Sequence, residues 1–338
     1  MIDLIKKIVA PHGISGSEGR VAEAIRTAIT PYVDECRTDA LGNLIALKRG
    51  NGESHKRLML CAHMDEIGFL VTFIDEKGFV RFAPIGGIDY IASSYAPVVS
   101  NNGVAGILVP DNGVKVTELN FDKCYIDIGA KNRKEAERKV KIGDFFVVEP
   151  GIRRLAGKRI AGRPMDDRIG CVALILIAKE LAEKSCRDDI YFVFSVQEEV
   201  GCRGAKPAAF DISPDLALVY DVTLTGDTPG AKPMAVSLGE GAAIKIKDAS
   251  VICHTETVDR LIETAKSHKI KYQCEILTAG GTDTSSIQMS GIGCRAAAIS
   301  IPTRYVHSGV EMIDLGDLDA VVDLTVAFIE AEEETQIS

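Results

Sequence analysis

Five short segments of this chain carry residues able to hold a metal ion or move a proton. His63 and Asp65 follow the apolar run Leu58–Ala62, and Glu198 and Glu199 follow Tyr191–Val196. Asp221 follows Leu216–Tyr220, and His307 lies beyond the run that ends at Ile301. Asp166-Asp167 stands just ahead of a strongly apolar helical pattern. Each has a plain reading when taken alone: His63 as a satisfied strand-end residue, Asp166 as a helix cap, Glu198-Glu199 as a solvated turn, Asp221 as a loop cap. Taken together they point to chemistry, because carboxylates gathered in one buried place are costly unless cations neutralise them. Histidines and carboxylates without cysteine suit Zn²⁺, Co²⁺ or Mn²⁺. In His63-Met-Asp65 the carboxylate is placed to hold the imidazole in its ligating tautomer.

The elements that must position these residues are readable. Leu44–Leu47, Leu58–Ala62, Ile190–Val196, Leu216–Tyr220 and Arg295–Ile301 are short apolar runs of the kind that form buried strands. Asp167–Ala182, Thr255–Ser267 and Leu318–Glu333 have helical periodicity. Ser15 and Glu18 read as a capping box ahead of Val21, Ile25 and Ile29, and Pro31 ends that helix. In open α/β sheets ligands bind beyond the carboxyl ends of the strands, where most of the chemical residues fall. The middle has another texture: Phe69–Ile74, Phe79–Ala83, Val104–Val109, Cys124–Ile128 and Asp144–Val148 are β-like runs broken by Gly and Asn, with a polar helical stretch at Asn132–Lys139. The chain therefore reads as an α/β sandwich from residues 1–65 and 160–338, with a β-rich module, 66–159, inserted between.

Composition removes several classes of function. A net charge of −9 over 338 residues argues against a nucleic-acid partner. No run approaches the ~18 apolar residues of a membrane span, and the first residues lack a secretory pattern, so a cytoplasmic location without membrane partner is expected. Trp is absent, which removes the usual stacking platform. The nine cysteines form no C-x-x-C pair and read as free thiols, and of these Cys61 and Cys202 neighbour the chemical residues. Gly151–Arg159 imitates a phosphate loop but has five residues between its glycines and Arg159 where Ser or Thr belongs. Cys253-His254 would need a third ligand, and His12, His55 and His268 read as surface residues. Gly280-Gly-Thr-Asp283 is either a turn near the substrate or an ordinary helix entry capped by Thr282 or Asp283.

Six segments in order resemble the signature of the dinuclear-metal aminopeptidases of metallopeptidase family forty-two, which includes the tetrahedral (TET) aminopeptidases and the FrvX and CelM proteins. They are Cys61-Ala-His-Met-Asp-Glu-Ile-Gly68, Gly162-Arg-Pro-Met-Asp-Asp-Arg-Ile-Gly170, Gln197-Glu-Glu-Val-Gly-Cys-Arg-Gly-Ala205, Val219-Tyr-Asp221, Gly280-Gly-Thr-Asp-Thr284 and Ile301-Pro-Thr-Arg-Tyr-Val-His-Ser308. Gly13-Ile-Ser-Gly16 and Asp39-Ala-Leu-Gly-Asn43 extend the likeness over nearly the whole chain. The resemblance implies a mixed-sheet α/β sandwich of the zinc-exopeptidase type with an inserted PDZ-like dimerisation domain. It implies that Asp166 bridges two divalent ions, Zn or Co, with Glu199 and His307 completing one site and His63 and Asp221 the other. Asp65 would orient His63, and Glu198 would be the general base. The implied activity is removal of N-terminal residues from short peptides by a homo-oligomer, a dimer or a tetrahedral dodecamer. Two other readings stand beside it: a metal-dependent deacylase or amidohydrolase acting on a small molecule, and a non-catalytic scaffold. Retention of all five ligand positions argues against the scaffold.

Overall fold

The computed structural model describes residues 1–52 and 56–334, with side chains through Ala331; His55 lies outside the described residues. Its frame is a mixed sheet. Arg57–His63, Asp189–Ser195, Leu216–Thr223 and Arg295–Arg304 run parallel at its centre, with Arg57–His63 between Asp189–Ser195 and Leu216–Thr223. Leu44–Lys48 and Glu35–Thr38 extend one side antiparallel. Glu311–Asp314, Arg159–Arg163 and Gly151–Arg154 extend the other. Ala242–Lys247 pairs with Arg295–Arg304 and with Tyr272–Ile276. The central strands are apolar on both faces because two groups of helices cover them. Ile2–Val9, Gly19–Ile29, Arg168–Leu181 and Leu315–Glu334 pack together, and Ala205–Ile212 packs with Asp283–Gln288. One large core holds Leu60, Val172, Phe192, Phe194, Leu218 and Ile299 in common.

The inserted strands close into a six-stranded antiparallel barrel with its own core, including Phe69, Val80, Phe82, Leu108, Ile126 and Phe146. Its strands run from Gly68–Ile74 to Phe145–Val148. The sequence reading extends the insert to residue 159, but Gly151–Arg154 pairs with Arg159–Arg163 and through it with the large sheet. The segment that imitates a phosphate loop is this β-hairpin, with Gly157 at its turn (φ 67°).

Local signals were redirected in three places. Ser15 and Glu18 form no capping box: Ser15 Oγ donates to Asp65, while Glu18 accepts from the Gly16 and Gln197 amides. Their capping chemistry is used between segments, where it anchors strand-end loops. Asp167, not Asp166, caps the helix Arg168–Leu181, accepting from the Gly170 amide. His12 is half-buried rather than exposed, which lowers its pKa.

Arg168 ties these layers together. It is fully buried, donates to the carbonyls of Met64, Ile8, Pro11 and Gly13, and pairs with Glu66 at 3.0 Å. Replacing it by Met would strand a buried carboxylate and several carbonyls. Arg168→Met is therefore expected to destabilise the fold by about 3–5 kcal/mol. A denaturant midpoint within error of the parent at unchanged slope would refute this.

Candidate metal centre

The carboxyl ends of the four parallel strands face one cleft. His63 is the last residue of its strand, Glu198 and Glu199 follow Ser195, and His307 follows Arg304. Asp221 does not follow its strand but lies within it, since pairing with Arg295–Arg304 carries Leu216–Thr223 two residues further. Asp166 reaches the same place from the link between Arg159–Arg163 and the helix Arg168–Leu181.

Asp166 is central. Its Oδ1 lies 3.1 Å from His63 Nε2, and its Oδ2 lies 3.1 Å from His307 Nε2. Asp221 Oδ1 is 3.8 Å from His63 Nε2, and Glu199 Oε2 is 3.2 Å from His307 Nε2. Donor atoms of His63, Asp166 and Asp221 lie within 4.8 Å of one another, as do those of Asp166, Glu199 and His307. Glu198 belongs to neither group, its Oε2 being 4.0 Å from His63 Nε2. Cys253-His254 gains no third ligand among the described residues; His254 bonds to Thr257 instead.

These groups fit a pair of divalent cations. Four carboxylates (Asp166, Glu198, Glu199 and Asp221) crowd two imidazoles, and Glu199 Oε1 is buried with no hydrogen-bond partner. Burial raises the pKa values of Asp221 and Glu199, and it drives Glu198 up to about 8, with Asp283 and Glu199 adding and His63 opposing. Burial would raise Asp166 too, but hydrogen bonds from His307 and His63 outweigh it and hold its carboxyl low. Burial would lower His307, yet Asp166 and Glu199 lift it to about 11, and His63 is likewise raised by Asp166 and Asp65. These directions mark the gaps between the donors as places where positive charge is favoured, which suits cations.

The supporting residues explain the order of the site. His63 Nδ1 is 3.1 Å from the Asp65 carbonyl, which can only accept. Nδ1 therefore carries hydrogen, and in the neutral ring Nε2 is the free lone pair facing Asp166. The Asp65 carboxylate is 3.4 Å from the same Nδ1 and also accepts from the Glu198 and Glu199 amides. One buried side chain thus orients a histidine and the Glu198-Glu199 turn. Asn43, itself held by Asp39, binds Val196 N and Gly204 O at the two ends of that turn. Gln197, Cys202 and His307 have φ of 57°, 52° and 61°, conformations that persist only where the surroundings over-determine them. From the barrel side, Gly86 passes so near Glu199 that a Cβ would lie 2.9 Å from its Oε2.

Glu311 escaped the sequence reading. It is wholly buried, accepts from the amides of Met165 and Asp166 on one oxygen, and from His307 N and Arg163 on the other. It therefore joins the two segments that bring Asp166 and His307 together. Its only trace in the sequence is a charge four residues after His307. Glu311→Gln is expected to weaken metal binding about 10- to 100-fold with far-ultraviolet circular dichroism unchanged. Parent-like affinity in a metal titration would rule this role out.

The cleft has a volume of about 590 Å³ and is lined by His63, Asp166, Glu198, Glu199, Asp221 and His307 together with Thr282 and the glycines before it. Thr282 caps the helix Asp283–Gln288, as the helix-entry reading expects, and Gly280, Gly281 and Thr282 line the cleft. A separate cavity of about 280 Å³ at the opposite ends of the strands, beside Arg57, Asp215 and Arg295, contains none of the candidate ligands.

The mixed α/β sheet with its inserted barrel is a fold found among known aminopeptidases, and comparison with known proteins assigns the family. The model of the M42 glutamyl aminopeptidases matches residues 42–324. A protein of Acetivibrio thermocellus is 48% identical over 332 residues, 97% of this chain and 98% of its own. The structure of an aminopeptidase from the archaeon Desulfurococcus kamchatkensis superposes with a TM-score of 0.93 at 36% identity, covering 98% of this chain and 94% of that one. The TET1 peptidase of Pyrococcus horikoshii, which assembles into a tetrahedron or a large octahedral shell, gives a TM-score of 0.85 at 35% identity over 97% and 98% of the two chains. This chain belongs to the M42 aminopeptidase family, a metal-dependent family of hydrolases. No helix among the described residues is long and apolar enough to cross a membrane.

Proposed function

We propose that this chain removes N-terminal residues from short peptides with two divalent ions, Zn²⁺ or Co²⁺. The observation that carries the reading is the shared Asp166 carboxylate, with one oxygen toward His63 and the other toward His307 at 3.1 Å each. His63, Asp166 and Asp221 would hold one ion, and Asp166, Glu199 and His307 the other. When bound, the ions supply Lewis-acid polarisation of the scissile carbonyl and lower the pKa of the attacking water. Glu198 takes the proton from that water and returns it to the leaving amine. Asp65 keeps His63 Nε2 turned toward Asp166 and fixes the amides of Glu198 and Glu199. The free peptide amine would be received among the carboxylates.

The barrel is proposed as the unit through which two copies associate in the cytoplasm. Ile91, Tyr95, Ile107, Val116 and Phe121 of the inserted segment are each exposed, and a second copy could bury them. Assembly beyond the dimer, into a tetrahedral dodecamer, follows the behaviour of the TET1 relative.

The test is a panel of aminoacyl substrates with free amines and their N-acetylated twins, run with metal and after chelation. Cleavage of the free-amine set alone, abolished by chelation, supports the reading. Activity confined to the acetylated set would replace it with a deacylase, and no metal-dependent turnover on either set would reject it. Metal uptake should also release protons, because His63 and His307 have raised pKa values and bind metal only as neutral rings. Affinity is thus expected to fall as pH falls, read by calorimetry in buffers of different ionisation enthalpy. A pH-independent affinity with no proton release would contradict the ligand set.

A further inference from the structure

Cys202 stands outside both ligand groups and has partners of its own. Its Sγ lies 3.1 Å from Glu198 Oε1. Donor atoms of Glu198, Cys202 and Asp283 lie within 4.8 Å of one another, and this trio shares no residue with the groups around His63 and His307. Asp283 is 1% exposed. Ser195 donates to its Oδ2, whereas its Oδ1 is buried with no hydrogen-bond partner. A buried carboxylate oxygen left in this state is costly unless a proton or cation meets it. Glu198 and Cys202 both line the cleft, so an ion entering the active site reaches them.

We propose that Glu198, Cys202 and Asp283 form a third, inhibitory cation site for a thiophilic divalent ion of the Zn²⁺ or Cd²⁺ type. The inference rests on Glu198 being the general base of the proposed function. One sulfur and two carboxylate donors differ from the imidazole and carboxylate donors of the other groups, and sulfur favours the softer ions. Binding breaks the Cys202 S–H bond, forms a metal–sulfur bond and releases the proton to solvent; no electron is transferred. An ion held by Glu198 leaves that carboxylate unable to accept a proton from water. Zinc would therefore activate the enzyme at low concentration and silence it in excess.

The test uses the full chain loaded with Co²⁺ and titrated with Cd²⁺. The expected result is one added cadmium per chain with the cobalt retained, a thiolate-to-cadmium absorption band in the ultraviolet, and loss of activity. In Cys202→Ala the band is expected to vanish, and the inhibitory cadmium concentration, read against that variant's own uninhibited rate, is expected to rise at least about 10-fold, since losing a direct ligand should cost no less than losing an outer partner. Asp283→Asn should raise it to a smaller extent. Cadmium should also protect Cys202 of the unaltered protein from alkylation, mapped by peptide mass spectrometry, a readout that needs no variant to fold. Cadmium that ejects cobalt, a band that persists in Cys202→Ala, unchanged inhibition of that variant, or unprotected Cys202 would each overturn the proposal. The band and the protection are read without turnover. They can therefore fail while peptide hydrolysis stands, and they can hold where the peptide reading fails.

Discussion

Glu198→Gln is expected to lower kcat about 10²- to 10⁴-fold, the usual contribution of a positioned general base, while metal content stays at the parent level. Glu198 lies outside both ligand groups, so its loss should not release an ion. Its neighbourhood suits proton transfer: burial, with Asp283 and Glu199 adding, raises its pKa to about 8 against the opposing pull of His63. Cations bound beside it would favour the carboxylate, the form that accepts a proton from water and then returns it to the leaving amine. Glutamine keeps the volume, and the Glu198 amide bond to Asp65 is a backbone contact that survives the change. The measurement pairs steady-state kinetics on a free-amine substrate with metal analysis of the same sample. Parent-like kcat would remove Glu198 from the role, and lost metal would make it a ligand instead.

Asp166→Asn is expected to empty both metal positions, whereas His307→Ala should empty one. Each Asp166 oxygen faces a different histidine, so an amide nitrogen must stand where one ligand oxygen was, whichever way the side chain turns. Asparagine also removes the negative charge that both sites share. A loss of about 100-fold or more in affinity for the first ion, and more for the second, is the expected scale. The His307 imidazole reaches Asp166 and Glu199 through Nε2, so its removal leaves the His63 and Asp221 side intact. Stoichiometry by metal analysis after dialysis against a weak chelator separates the two variants. Equal loss in both would mean that the ions are not bridged by Asp166, and full content in Asp166→Asn would end the shared-carboxylate reading.

The parts of this protein legible beforehand are those written in short stretches of chain. A strand such as Leu58–Ala62 announces itself by a continuous apolar run, and a polar residue at its carboxyl end is visible in the same stretch. The α/β frame with a β-rich insert, and the position of His63 at a strand end and of Glu198 and His307 beyond strand ends, therefore followed from local pattern. Boundaries failed where pairing partners were remote. Asp221 lies inside its strand because Arg295–Arg304 extends the ladder to Thr223, and the hairpin Gly151–Arg163 joins the large sheet because Glu311–Asp314 offers it an edge. Polar residues with local meanings, Ser15 and Glu18, were claimed by Asp65 and Gln197 instead.

From its residues alone the chain declared which donors it has, the kind of ion they suit and the order of elements that carry them. Those properties depend on side-chain chemistry and on periodicity over a few residues. Only tertiary structure decided that Asp166 faces His63 across 103 residues of sequence, with His307 on its other oxygen. Only it assigned Glu311 to join Met165, Asp166 and His307, and set Cys202 and Asp283 against Glu198. The reason is physical. Glu311 acts on backbone amides, which every residue has and no sequence marks, and the strand order that gathers the donors is chosen by the packing of the whole core.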